Sequence, residues 1–99
     1  MKVRLNPRAE RQLADLPKPA ARRVVSALRL LQATPKLGRP YPEDSEFRGL
    51  FYKLVVVRAR RWSYRVTYAL RADEIVVLYL YPSWYPPTHL DLVRPPDDE

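Results

Sequence analysis

Three runs rich in β-branched and aromatic residues, Phe51 to Arg58, Tyr64 to Leu70 and Ile75 to Tyr81, follow one another with only short separators between them. The separators, Ala59-Arg60-Arg61-Trp62-Ser63 and Arg71-Ala72-Asp73-Glu74, fit hairpin loops, so the runs read as an antiparallel three-strand meander. Side chains alternate along a strand. Tyr64, Val66, Tyr68 and Leu70 therefore fall on one face of the middle strand, and Arg65, Thr67, Ala69 and Arg71 on the other. The first face is expected to pack, and the second to stay open, polar and basic.

The residues before the meander supply what packs. Val3-Arg4-Leu5 alternates and reads as a short opening strand, after which Asn6 is a good N-cap and Pro7 a favoured first helical residue. Ala9, Leu13 and Leu16 make one apolar stripe before Pro17 and Pro19 stop the helix. Ala21, Val24, Val25, Leu28 and Leu31 make a second stripe between Ala20 and Ala33, with Arg22, Arg23 and Arg29 off it. Residues from about 7 to 33 are thus a helical hairpin. Thr34 to Asp44 concentrates Pro, Gly and charge, which predicts a connecting loop riding over the surface. The expected fold is α+β, an N-terminal strand and helical hairpin packed on one face of an antiparallel sheet. At 99 residues, residues 1–99 read as one domain, with an irregular tail from about residue 86.

Charge narrows the function. Eighteen Lys and Arg against eleven Asp and Glu give +7, which favours a polyanionic partner. The bases are unevenly placed: residues 47–71 hold seven Lys or Arg and no acid. Fourteen of the eighteen bases are Arg, whose planar fork suits phosphate and stacks on bases. Absence of cysteine excludes disulfides, thiol catalysis and Cys-ligated zinc, and a lone histidine argues against a His-built metal site, so no cofactor is expected. Lacking a signal-type h-region or a long apolar stretch, the chain is expected to be cytoplasmic and to have no membrane partner.

Gly38 and Gly49 are the only glycines, which excludes a Gly-rich phosphate loop. What remains is Arg48, Lys53, Arg58, Arg60, Arg61, Arg65 and Arg71, interleaved with Phe51, Tyr52, Trp62, Tyr64 and Tyr68. Cations alternating with rings suit a single-stranded RNA surface, although the same rings suit a core and the same cations a solvated rim. Arg65 stands out because it lies inside a strand, where a fixed backbone could aim it at a phosphate; pairing with an acid on the helices is the alternative. Tyr81, Trp84, Tyr85 and His89 follow the last strand, and a Tyr or His there could exchange protons.

Several segments together resemble the RelE/ParE superfamily of bacterial toxins. These are Asn6-Pro7-Arg8-Ala9-Glu10-Arg11-Gln12-Leu13-Ala14-Asp15-Leu16-Pro17, Phe47-Arg48-Gly49-Leu50-Phe51-Tyr52-Lys53-Leu54, Ser63-Tyr64-Arg65-Val66-Thr67-Tyr68 and Glu74-Ile75-Val76-Val77-Leu78. The resemblance, closer to RelE, implies a type II toxin with a cognate acidic antitoxin, through which it would mainly oligomerise. RelE-like members cut mRNA in the ribosomal A site without a metal, by attack of the RNA 2′-OH, and so inhibit translation. ParE-like members poison DNA gyrase. Carried onto this chain, Arg65 matches the RelE-like strand arginine and Lys53 a lysine of the preceding strand, while Tyr85 can stand in for the terminal aromatic acid or base. Arg48, Arg58, Arg60, Arg61, Arg71 and Tyr81 would then contact RNA. Val55 stands where a further base is usual, and Tyr81-Pro82-Ser83-Trp84-Tyr85 replaces the usual Arg or His-Tyr elements. A ribosome-dependent mRNA endonuclease is the first expectation, a gyrase inhibitor the alternative, and an inactive antitoxin-binding homologue the third.

Overall fold

The computed structural model describes residues 1–57 and 62–82. Five strands, β1 (Lys2–Leu5), β2 (Arg39–Pro40), β3 (Phe51–Val57), β4 (Trp62–Leu70) and β5 (Glu74–Pro82), form one sheet in the order β1-β5-β4-β3-β2. The predicted meander is there: β3 pairs antiparallel with β4, and β4 with β5. The opening strand takes the far edge, where β1 runs parallel to β5 from Lys2 opposite Glu74 to Leu5 opposite Val77, so the sheet is mixed.

Asn6 turns strand into helix. Its backbone N–H donates to the Val77 carbonyl at 3.0 Å, extending the parallel pairing by one bond, while its side-chain Oδ1 accepts from the Ala9 N–H at 2.8 Å. With Pro7 at the first helical position, which needs no donor, this caps α1 (Pro7–Ala14). α1 then flanks β5 where β1 has ended, and Gln12 Oε1 accepts from the Leu80 N–H at 2.7 Å. A side chain thus replaces the missing strand partner.

α2 (Lys18–Ala33) follows, and Ala9, Val24, Ala27, Leu28 and Leu31 bury against Val55, Val66, Tyr68, Ile75, Val77 and Leu80. Leu13 and Leu16 pack against the same core. The buried stripe of α2 is turned slightly from the predicted one: Ala20 and Ala27 are buried, whereas Ala21 and Val25 are half-buried. Two small side chains toward the sheet let the helix approach closely, which the larger Val25 would oppose.

The second face departs from expectation. Tyr41, Phe47, Ala69, Val76, Leu78 and Tyr79 form a separate core there, with Leu50 and Tyr52 packed against it. The expectation of an open second face therefore holds only for part of it. Two features close the rest. The chain from 41 to 50, of which only residues up to Asp44 belong to the predicted surface connection, folds Tyr41 and Phe47 onto the sheet; Tyr41 N–H donates to the Leu50 carbonyl at 3.0 Å, and Gly49 adopts φ 87°, which favours glycine. A β-bulge also interrupts the alternation: Thr67 lies opposite Tyr79 but Tyr68 opposite Val77, so Leu78 is the extra residue and both Leu78 and Tyr79 join the second core.

The segment before β2 is tightly fixed too. A 3₁₀ turn at Pro35–Leu37 leads to Gly38, whose N–H donates to the Tyr68 hydroxyl at 3.1 Å, and that hydroxyl donates to the Pro35 carbonyl at 3.1 Å. A Cβ on Gly38 would clash with the Tyr68 hydroxyl and the Tyr52 carbonyl, so glycine is needed here for close approach and not for its φ. No helix among the described residues is long and apolar enough to cross a membrane.

Candidate functional site

Register decides which of the candidate residues share a face. Arg65 lies opposite Leu54 on β3 and Tyr81 on β5, and alternates with Thr67 and Ala69 on the face away from the helices. A pairing with helix acids is thereby ruled out. Lys53 lies opposite Val66 and alternates with Phe51 and Val55, whose side chains belong to the helix-side core. Arg65 and Lys53 therefore project from opposite faces of the sheet.

Arg65 is half-buried, and its Cζ sits 4.8 Å from the centroid of the Tyr52 ring. That distance is within cation–π range. Its Nε is sealed from solvent and has no hydrogen-bond partner among the described residues. Beside it the second face is open, with Leu54 42% and Val56 60% exposed. The loop-built core thus stops at Tyr52 and Thr67, and Arg65 stands at its border. A delocalised cation stacked on a ring and bordered by apolar side chains is suited to receive an anion.

Lys53 lies on the outer side of β3. β2 pairs only with Phe51 and Tyr52, and a cleft of about 340 Å³ opens beyond it, lined by Leu37, Gly38, Arg39, Tyr52, Lys53 and Leu54. Lys53 Nζ donates to the Leu54 carbonyl at 3.2 Å, and with exposed Arg39 it makes this edge basic.

The remaining cations are spread along the sheet. Arg48 is exposed in the loop that covers the second face. Arg71 is exposed where the chain leaves β4, six residues along from Arg65 and so about 20 Å away at strand rise. Arg58, Arg60, Arg61 and Tyr85 lie outside the described residues, as do Trp84, His89 and the tail from residue 86. Tyr81 is placed by its backbone opposite Arg65. The rings proposed to stack bases are mostly occupied: Tyr64 and Tyr68 are 4% and 0% exposed, and Phe51 stacks on Tyr68 at 5.7 Å. β4 is covered on its helix side, so its alternating aromatics became core.

Sequence reasoning treated Tyr52 as one ring among several and did not mark Arg8. Tyr52 lies opposite Thr67 and hence diagonal to Arg65, a relation that the antiparallel register would have revealed. Arg8, on α1, holds its guanidinium 4.9 Å from the Tyr79 ring centroid. Nothing in the α1 pattern signals that, because it depends on the bulge that turns Tyr79 out of the helix-side core.

Comparison with known proteins agrees with this architecture. No curated protein sequence is matched. Among solved structures the chain is similar to the RelBE2 toxin–antitoxin complex of Mycobacterium tuberculosis, with TM-score 0.66 and 26% identity over 82% of this chain and 95% of that one. Residues 3–81 match the family described as ParE toxin of type II toxin-antitoxin system, parDE. That match runs from β1 to the end of the meander, and the chain belongs to this family of type II toxins within the RelE/ParE superfamily.

Proposed function

We propose that this chain arrests translation by cleaving mRNA on the ribosome. The observation that carries the reading is Arg65: a mid-strand cation on an open face, its guanidinium over the Tyr52 ring, with no acid bonded to it among the described residues. In the proposed reaction a nucleotide's 2′-oxygen forms a bond to the adjacent phosphorus and the bond to the 5′-oxygen breaks. The products are a 2′,3′-cyclic phosphate and a 5′-hydroxyl. A proton leaves the 2′-OH and another reaches the departing 5′-oxygen. Arg65 stabilises the charge gathered on the phosphorane, Lys53 adds positive potential from the β3 edge, and Tyr85 exchanges a proton with the attacking or leaving oxygen. Arg48, Arg58, Arg60, Arg61, Arg71 and Tyr81 contribute to RNA contact, so affinity for RNA falls steeply with salt.

An acidic antitoxin is the partner in this reading, laid across the basic surface so that it covers Arg65 and blocks the substrate. The similarity to a toxin solved in complex with its antitoxin supports it.

A second reading, inhibition of DNA gyrase, is favoured by the ParE family match and by the opposite facing of Lys53 and Arg65. Induced expression with toeprinting of translated mRNA separates the two. Breaks at the A site that vanish in Arg65→Ala, with growth restored, support cleavage. Gyrase-dependent DNA damage without such breaks, unaffected by Arg65→Ala, overturns it. Removing one preorganised donor typically costs about 10²–10³ in rate, enough to abolish toxicity.

A further inference from the structure

We propose that Tyr52 is the positioning residue for Arg65, and that the 41–50 loop exists on this face to hold Tyr52. The inference rests on the reading of Arg65 as the phosphate cation. It concerns how an arginine, with a long and flexible side chain, acquires one orientation in a strand where no acid among the described residues holds it.

The contacts form a continuous series. The Arg65 guanidinium lies over the Tyr52 ring at 4.8 Å. The Tyr52 ring packs against Tyr41 with centroids 4.9 Å apart, and Tyr41 against Phe47 at 5.2 Å. Phe47 meets Tyr79 edge-on at 6.4 Å, which anchors the row to β5. The Tyr41 hydroxyl bonds the Thr67 hydroxyl at 2.8 Å, and Thr67 is two residues from Arg65 on the same strand and face. The loop is therefore tied to the strand that carries the cation, and ring and guanidinium share one rigid frame. Tyr41 is 9% and Phe47 4% exposed, so neither ring is a loose surface group.

This arrangement answers a chemical need. A cation that stabilises a phosphorane must already be aimed where charge develops, since reorienting it during the reaction forfeits the gain. An ion pair would aim it but would also compete with the phosphate for it. A ring face orients the guanidinium and leaves its terminal N–H donors for an anion. Arg65 Nε is buried without a partner among the described residues, and the Tyr52 ring is the contact that faces the guanidinium among them.

The test uses purified full-length toxin with programmed ribosomes, reading single-turnover cleavage and ribosome affinity separately. Tyr52→Leu keeps an apolar side chain, though a smaller one, and removes the π face. It is expected to lower the cleavage rate by on the order of 10²-fold with affinity little changed, as misplacement of a reacting group does. Tyr52→Phe keeps the ring and restores the rate. In an Arg65→Lys background, Tyr52→Leu causes no further loss, because a point charge on a flexible stem gains little from the ring. Wild-type cleavage by Tyr52→Leu while Arg65→Ala is inactive overturns the positioning role and leaves the role of Arg65 standing. Full activity of Arg65→Ala overturns both. A measurement on the unaltered protein removes dependence on the folding of any variant. The Arg65 Nε–H proton resonance should be shifted upfield by the Tyr52 ring, with slow rotation about Nε–Cζ. A resonance at the ordinary arginine position with fast rotation overturns the inference.

Discussion

The two faces of the sheet are buried by different means. On one, α1 and α2 lay a periodic stripe, Ala9, Val24, Leu28 and Leu31, over alternating strand residues. On the other, two rings from an irregular segment, Tyr41 and Phe47, cover part of the surface and leave Leu54, Val56 and Arg65 at the border. Regular elements buried against one another hold the fold. A short loop of rings covers only what its reach allows, and the edge of that cover is where a charged strand residue meets solvent. Incomplete burial on this second face is what leaves the candidate site open to solvent.

The largest effect is expected from removing one contact of the helical face. Leu31 is 0% exposed in the centre of that core, so Leu31→Ala should cost about 2–5 kcal/mol, from lost transfer energy plus the cavity left behind. Urea unfolding should show a lower midpoint with an unchanged slope. A cost below about 1 kcal/mol would mean that this face is not the main source of stability.

Next in size is a change that adds volume at the junction between the faces. Gly38 has no room for a Cβ beside the Tyr68 hydroxyl and Tyr52 carbonyl, so Gly38→Ala must displace the segment that leads into β2. Overpacking of this kind costs about 1–3 kcal/mol. Thermal melting should register it, and Gly49→Ala, strained by its φ of 87° but with open space around its Cβ position, gives a separate measure of backbone strain alone.

The helical face was legible because its signals are local. Asn6-Pro7, the Pro17 and Pro19 pair and the spacing of Val24, Leu28 and Leu31 each act within a few residues. So did the meander, whose separators leave little choice of pairing. The loop-covered face was not legible. Tyr41 lies in the Thr34 to Asp44 stretch that reads as surface connection, Phe47 just beyond it, and their burial depends on strands distant in sequence. The bulge at Leu78 was hidden because Ile75 to Leu80 is apolar at every position, leaving no alternation to interrupt. For the site, alternation correctly put Arg65 on the face away from Tyr64 and Val66. The same rule, applied across β3, already separates Lys53 from Arg65 once register is known. Residue type alone had grouped them.

A smaller perturbation tests whether the second face depends on the buried Tyr41–Thr67 hydroxyl pair. Tyr41→Phe keeps the ring contacts with Phe47 and Tyr52 and deletes the partner of Thr67, a residue 1% exposed. A net cost of about 1 kcal/mol is expected, with the Thr67 hydroxyl left buried and unbonded. Tyr41→Phe combined with Thr67→Val should recover part of it, since removing both partners is milder than removing one. If the single change is neutral, the loop is held by ring packing and the hydroxyl pair only marks its position.

The smallest effect expected is confined to alkaline solution and comes from Tyr68, which links the two faces. Its ring lies in the helix-side core, while its hydroxyl bonds the segment leading to β2. Burial pushes its pKa above the ordinary 10.0, and the Gly38 N–H donated to its oxygen pulls back against that rise. The unfolded chain therefore loses the Tyr68 proton first as pH rises. Between the unfolded and folded values the native state binds more protons, so stability must fall with pH in that window. The contribution is fully present below pH 10 and is lost as pH climbs through the raised folded value. Tyr68→Phe removes this titration along with the bonds to Pro35 and Gly38, so it should lower stability at neutral pH and flatten the decline above pH 10. Urea midpoints measured at neutral and alkaline pH for both chains check it. A decline equally steep in Tyr68→Phe would assign the alkaline loss to other groups and leave Tyr68 as a packing residue alone.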